Sequence, residues 1–117
     1  MQLKKDKEIL IDDLEYADGI LRKARGLMFR KLDEDEGLLM EFSRKARWSI
    51  WMFFVPQDLG LLFLDENKEV VDKKKAKKMS LNPETWKVYK PEKECKYVIE
   101  CNPEKIEDIE KGGTLEW

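Results

Sequence analysis

The chain has 117 residues, which suits one hydrophobic core built without metal or disulfide staples. Charged residues make up 41%, against roughly 25% in an average domain, but 23 Lys and Arg stand against 25 Asp and Glu, a net charge of −2. That balance excludes a global field for nucleic acid or a membrane surface, and the absence of His removes the commonest general base and metal ligand.

Met1 to Glu8 is charged and lacks the apolar stretch of a secretory signal. No apolar run nears the roughly 20 residues of a membrane span, so a cytoplasmic setting is expected. Dense Glu and Lys, with Gln only at positions 2 and 57, is a thermophile-like balance. Ile9, Leu10, Ile11 and Leu14 predict a strand over Glu8 to Leu14. Ile20, Leu21, Ala24, Leu27 and Met28 recur at helical spacing, which predicts a helix over Ala17 to Phe29. Lys31 to Glu36 is a polar loop, and Gly37 to Phe42 a strand.

Trp48 to Val55 is apolar at almost every position, which predicts a central strand covered on both faces and broken by Pro56. At least one of Trp48 and Trp51 should then be largely buried. Leu59 to Leu64 is a second buried strand. Asp65 to Lys68 is a turn, and Glu69 to Asp72 resumes as a hairpin partner. Trp86 to Tyr89 and Lys96 to Cys101 alternate as strands do. Asn102 and Pro103 open a short helix to Lys111, with Asn as cap, Pro in the first turn, and Ile106 and Ile109 facing inward. Gly112 and Gly113 end it, and Leu115 and Trp117 border a last strand. The expected fold is mainly β (α+β): a single domain over residues 1–117, a compact β-barrel or jelly-roll-like sandwich with two short helices. A parallel α/β fold does not suit a middle stretch without crossover helices.

Four blocks carry a family likeness. They are Gly26-Leu27-Met28-Phe29-Arg30; Gly37-Leu38-Leu39-Met40-Glu41-Phe42; Ile50-Trp51-Met52 followed by Leu61-Leu62-Phe63-Leu64-Asp65; and Tyr97-Val98-Ile99-Glu100 leading to Gly112. In these the chain resembles uncharacterised-protein family 0127, whose conserved part is domain of unknown function 192. The resemblance implies a compact β domain of jelly-roll or barrel type and implies no activity. Two positions depart from the pattern. Gly60 stands where the family usually has an Asp three residues before the Phe that matches Phe63, and Gly113 stands where a terminal Gly-Asp pair is common.

Candidate chemistry starts at the aromatic strand. One end of it can sit in a cleft and present Trp51 or Phe53 to a small ligand or a protein partner. Arg30, Arg44 and Arg47 can add anion contacts there, the bland alternative being a paired, solvated surface. The run Lys73, Lys74, Lys75, Lys77 and Lys78 can bind phosphate backbones, but it also suits an edge strand guarded against aggregation. The acidic stretch Asp33 to Glu36 lacks the spacing of a calcium loop. Cys95 and Cys101 end one strand roughly 20 Å apart, too far for a disulfide, and two cysteines without His cannot hold zinc. No phosphate-cradling glycine loop is present, and no cofactor is expected. Asp58, Asp65 and Glu100 near strand ends leave a carboxylate-dependent hydrolase as a further alternative. The reading that the residues favour is a non-catalytic ligand- or protein-binding domain.

Overall fold

A computed structural model describes residues 1–17 and 30–117. Of the predicted helix from Ala17 to Phe29, all but its first residue lies outside them. The described strands are β1 (Leu3–Lys5), β2 (Glu8–Ile11), β3 (Asp13–Ala17), β4 (Glu36–Ala46) and β5 (Ile50–Trp51), then β6 (Leu59–Leu64), β7 (Val70–Ala76), β8 (Val88–Tyr89) and β9 (Cys95–Cys101). Two short 3-10 turns, Pro83–Thr85 and Pro103–Ile106, complete the elements.

Five strands form the main sheet, in the order β3-β4-β9-β6-β7. Only β3 and β4 run parallel within it; the other neighbours are antiparallel. Among the described residues the sheet is open, with β3 and β7 as its edges, so the fold is mainly β and, of the two expected forms, the closed barrel is not found. The lysines on β7 suit one edge: charged side chains along it oppose pairing with a further strand.

Both faces of the sheet are covered, and this sets the sequence of β6. Leu59, Leu61 and Phe63 point into one core with Leu38, Met40 and Val98. Leu62 and Leu64 point into the other with Leu39, Ile99 and Leu3. Every residue of Leu59–Leu64 is buried, as a strand with two covered faces requires. Each such side chain stabilises the fold by roughly 1.5–3 kcal/mol relative to an exposed position. Gly60 faces the second core, where a Cβ would stand 2.9 Å from Ile106 Cγ2 and 3.1 Å from Asn102 O. A side chain at this place has no room without displacement of the Pro103–Ile106 turn.

The strand predicted over Glu8 to Leu14 is two strands. Asp6 and Lys7, with φ of 49° and 71°, form a two-residue turn that returns β1 onto β2. The chain then bends at Asp12, and β3 enters the main sheet. The helix expected from Asn102 to Lys111 is shortened to one 3-10 turn. Asn102 does not cap it, because its side chain donates to Asp33 O at 3.0 Å and accepts from Gln57 Nε2 at 2.9 Å. Ile106 and Ile109 are buried as expected. The C-terminal residues make isolated bridges, Glu69 with Thr114 and Lys4 with Glu116, in place of a last strand.

The largest departure concerns Trp48 to Val55. Its regular part is β5 alone, two residues paired with β8 in a small separate sheet. The middle of the main sheet is β9, and the 48–55 segment lies over the first core rather than inside it. Trp48 is the partly buried indole of the pair, stacked on Phe42 with ring centroids 4.4 Å apart. Trp51 is 62% exposed.

Candidate functional site

The segment after β5 alternates once and then breaks. Ile50 and Met52 turn inward, and Trp51 and Phe53 outward. The amide of Val55 donates to Met52 O at 3.1 Å, closing a turn. Phe54 occupies its third position with φ of 58°, a left-handed conformation that a bulky side chain rarely adopts. The turn reverses the alternation, so Phe53 and Phe54 both face solvent while Val55 returns to the core. The two rings meet edge to face at 4.1 Å, and Trp51 stacks on Phe53 at 6.0 Å.

The loop that faces this turn is tightly knitted. Trp86 Nε1 donates to Ser80 O at 2.7 Å, and Ser80 N donates to Thr85 Oγ1 at 2.9 Å. Asn82 caps the Pro83–Thr85 turn by accepting from Glu84 N at 3.1 Å. The polar edge of the exposed Trp86 indole is therefore fixed, which holds its apolar face in place. Turn and loop together line a groove of about 940 Å³, with Trp51, Phe53, Phe54, Trp86, Val88, Met79 and Lys87 in its lining and Trp51 paired with Val88 across β5 and β8. A cluster of exposed rings of this size marks an interaction surface more often than chance exposure.

Of the sequence candidates, Trp51 and Phe53 stand together in this groove. The arginines do not join them. Arg30 pairs with Glu15 and, at 3.5 Å, with Glu36, and Arg47 Nε donates to Pro91 O at 2.8 Å. Arg44 lies over the Trp48 ring at 5.5 Å. Phe54 and Val88 were not singled out as site residues by the sequence, and Trp86 was not assigned to this cleft. Phe54 was assigned to the strand, and the contact between residues 51–55 and 79–88 is long-range.

The lysine run is divided by the alternation of β7. Lys73 and Lys75 sit opposite Leu62 and Gly60 and reach the Pro103–Ile106 turn, Lys73 Nζ to Ile106 O at 2.9 Å and Lys75 Nζ to Glu107 at 2.8 Å. Lys74 sits on the other face, 3.6 Å from Asp72. Three of the five cations are thus engaged within the fold, and the phosphate-binding reading is not favoured. The hydrolase reading fares no better. Asp58 and Asp65 lie at opposite ends of β6, on the order of 20 Å apart. Asp58 accepts from Lys78 N, and Asp65 accepts from Asn67 N and Glu69 N. Glu100 is buried in the middle of the sheet, in register with Leu38 and Leu61. Burial pushes its carboxyl up to about 7, and its Oε2 has no hydrogen-bond partner. Cys95 and Cys101 are buried free thiols pushed up to about 11 and about 12 by burial, poor nucleophiles both. Among the described residues no group of three or more acidic or Cys side chains is placed to hold a metal ion. No helix there is long and apolar enough to cross a membrane.

Fold and site together define a mainly β protein with an aromatic groove beside its small β5-β8 sheet. The chain belongs to the family of domain of unknown function 192, described as "Uncharacterized ACR", whose model matches residues 1–117. A family 0127 protein of Pyrococcus furiosus is 31% identical over 119 residues, covering 100% of this chain and 96% of the relative. One from Thermococcus kodakarensis is 33% identical over 107 residues, and the match covers 89% of this chain but 64% of that longer protein. Among solved structures, a protein of Sinorhizobium meliloti described as a proposed transcription regulator superposes with a TM-score of 0.78. It covers 98% of this chain and 89% of that one at 19% identity, a likeness of fold alone.

Proposed function

We propose that this is a non-catalytic binding domain whose groove between residues 51–55 and 79–88 takes an apolar ligand or an apolar element of a protein partner. The observation that carries the reading is the convergence of Trp51, Phe53, Phe54 and Trp86 around one groove with their rings exposed. Rings left in water by a chain that encloses most of its other large apolar side chains have a use in recognition. Phe54 adds weight: a left-handed bulky residue at the tip is a strained choice of the kind that collects at ligand sites. A single domain in the cytoplasm fits this reading, since two buried free cysteines need no oxidising compartment.

Calorimetric titration of a panel of apolar aromatic fragments against the full chain tests the reading. Binding is expected for the wild type and loss of at least about tenfold in affinity for Trp51→Ala or Trp86→Ala. Fragments that bind both variants as well as the wild type would place the site elsewhere.

A further inference from the structure

We infer that the occupant of the groove is an acidic, apolar-anchored peptide segment of another protein. This rests on the binding reading above and deepens it. Charge complementarity points to this occupant. The chain as a whole is slightly negative, with a net charge of −2. The groove is different: among the described residues lining it, Lys87 is the one ionisable group, and no carboxylate joins it.

Two more cations stand just beyond the groove. Lys77 and Lys78 are exposed and lead directly into Met79 and Ser80 on its wall. Their backbone amides are fixed, to Tyr89 Oη at 3.1 Å and to Asp58 Oδ1 at 2.9 Å. Their ammonium groups pair with no carboxylate among the described residues, and neither does that of Lys87, which lies 5.3 Å from the centre of the Tyr89 ring. Lys73, Lys74 and Lys75 are spent on carbonyls and carboxylates within the fold; Lys77 and Lys78 are not, and Lys87 meets the Tyr89 ring without a carboxylate. The free part of the lysine run is therefore the part that meets the aromatic groove.

The placement also fixes the kind of occupant. Lys77 and Lys78 lie outside the lining, so an occupant that uses both the rings and these cations must extend past the groove. A chain segment with apolar anchors and acidic neighbours does so, whereas a compact small molecule does not. A flat lipid surface would touch the rims and leave the groove between the two loops unfilled. Rim charges of this sort steer encounter and set specificity, while the desolvated rings carry the affinity.

Three synthetic peptides of about ten residues test this, sharing the same Leu and Phe anchors with Glu, Gln or Lys between them. Each is titrated into the full chain by calorimetry at low and high salt. The expected result is binding of the Glu peptide about tenfold tighter than the Gln peptide, the gap closing at high salt, with the Lys peptide weakest. The triple variant Lys77→Glu/Lys78→Glu/Lys87→Glu, whose exposed substitutions leave both cores intact, should reverse the order. Equal binding of all three peptides would overturn the acidic-partner inference while leaving the groove as a binding site. Failure of every peptide, with apolar fragments still bound at Trp51, would also overturn it; failure of peptides and fragments alike would overturn both readings. Co-sedimentation with phosphatidylserine vesicles in the absence of peptide binding would assign the surface to lipid instead.

Discussion

Met52 and Val55 are joined by a hydrogen bond of 3.1 Å and are both buried, while the two residues between them, Phe53 and Phe54, are exposed. The turn thus anchors itself in the first core at both ends and presents two rings at its tip. The left-handed Phe54 is what allows this geometry. A left-handed conformation costs a non-glycine residue roughly 1–2 kcal/mol. Phe54→Gly is expected to unfold at the same denaturant concentration as the wild type or a higher one, while binding at the groove weakens. A clear loss of stability on equilibrium unfolding would show that Phe54 serves packing.

Asp72, like Glu100, is a buried carboxyl on the face of the sheet that carries Leu61 and Phe63, and it is fully engaged. It accepts from Lys73 N at 2.8 Å and Glu92 N at 3.0 Å and lies 3.4 Å from Lys111 Nζ. Burial alone would raise its pKa; those amides, with Lys74 and Lys111, outweigh it and hold the carboxyl below its ordinary value. Its contribution is present above the unfolded value of 3.8 and is lost as pH falls through the lower folded value. Asp72→Ala strips partners from the amides and ammonium groups that tie β7 to the 90–94 segment and the C-terminal residues. A loss of about 2–4 kcal/mol in urea unfolding at neutral pH is expected.

Glu100 works in the opposite direction. Its folded carboxyl titrates at about 7, above the ordinary 4.5. Between those values the native state holds a proton that the unfolded chain has released. Its contribution to stability therefore falls as pH rises through that window, by up to about 1.4 kcal/mol per pH unit. Glu100→Gln, which keeps the shape and cannot ionise, should remove this slope and be more stable than the wild type at pH 8. Parallel wild-type and variant curves from pH 4 to 8 would contradict it.

Gly60 stands where the packing leaves no room for a side chain. A Cβ at this place meets Ile106 and the Asn102 carbonyl inside 3.2 Å, as the separations of 2.9 and 3.1 Å state. Gly60→Ala should destabilise by about 1–3 kcal/mol, and combined with Ile106→Ala, which removes the Cγ2 that the new Cβ meets, the total loss should be smaller than the sum of the two single losses. Thermal unfolding of the two single variants and the double variant measures the coupling.

Strands whose burial pattern follows from their own residues were readable in the sequence. Leu59–Leu64 is apolar throughout because both faces are covered, and Cys95–Cys101 has the predicted bounds. Trp48 to Val55 has the same apolar density for a different reason. Its rings at positions 51, 53 and 54 are exposed, and composition cannot tell a ring kept in water from a ring kept from it. The turn at Phe54 carries none of the Gly or Asn that signals a left-handed residue. Asp6 and Lys7 hid the first hairpin in the same way. Trp51 and Phe53 were legible as site candidates because a strand apolar on both faces can leave one end in a cleft. Trp86 and the unpaired Lys77 and Lys78 needed the contact between distant loops and the pairing of β7 with β6.

The indole N–H resonances of the four tryptophans report most directly on the central claim. In a proton–nitrogen correlation spectrum of the full chain, addition of an apolar aromatic fragment is expected to shift the Trp51 and Trp86 signals. Those of Trp48, stacked on Phe42, and of Trp117, packed against Tyr97, should stay in place. Shifts at Trp48 or Trp117 with Trp51 and Trp86 unmoved would contradict the assignment of the groove as the binding face.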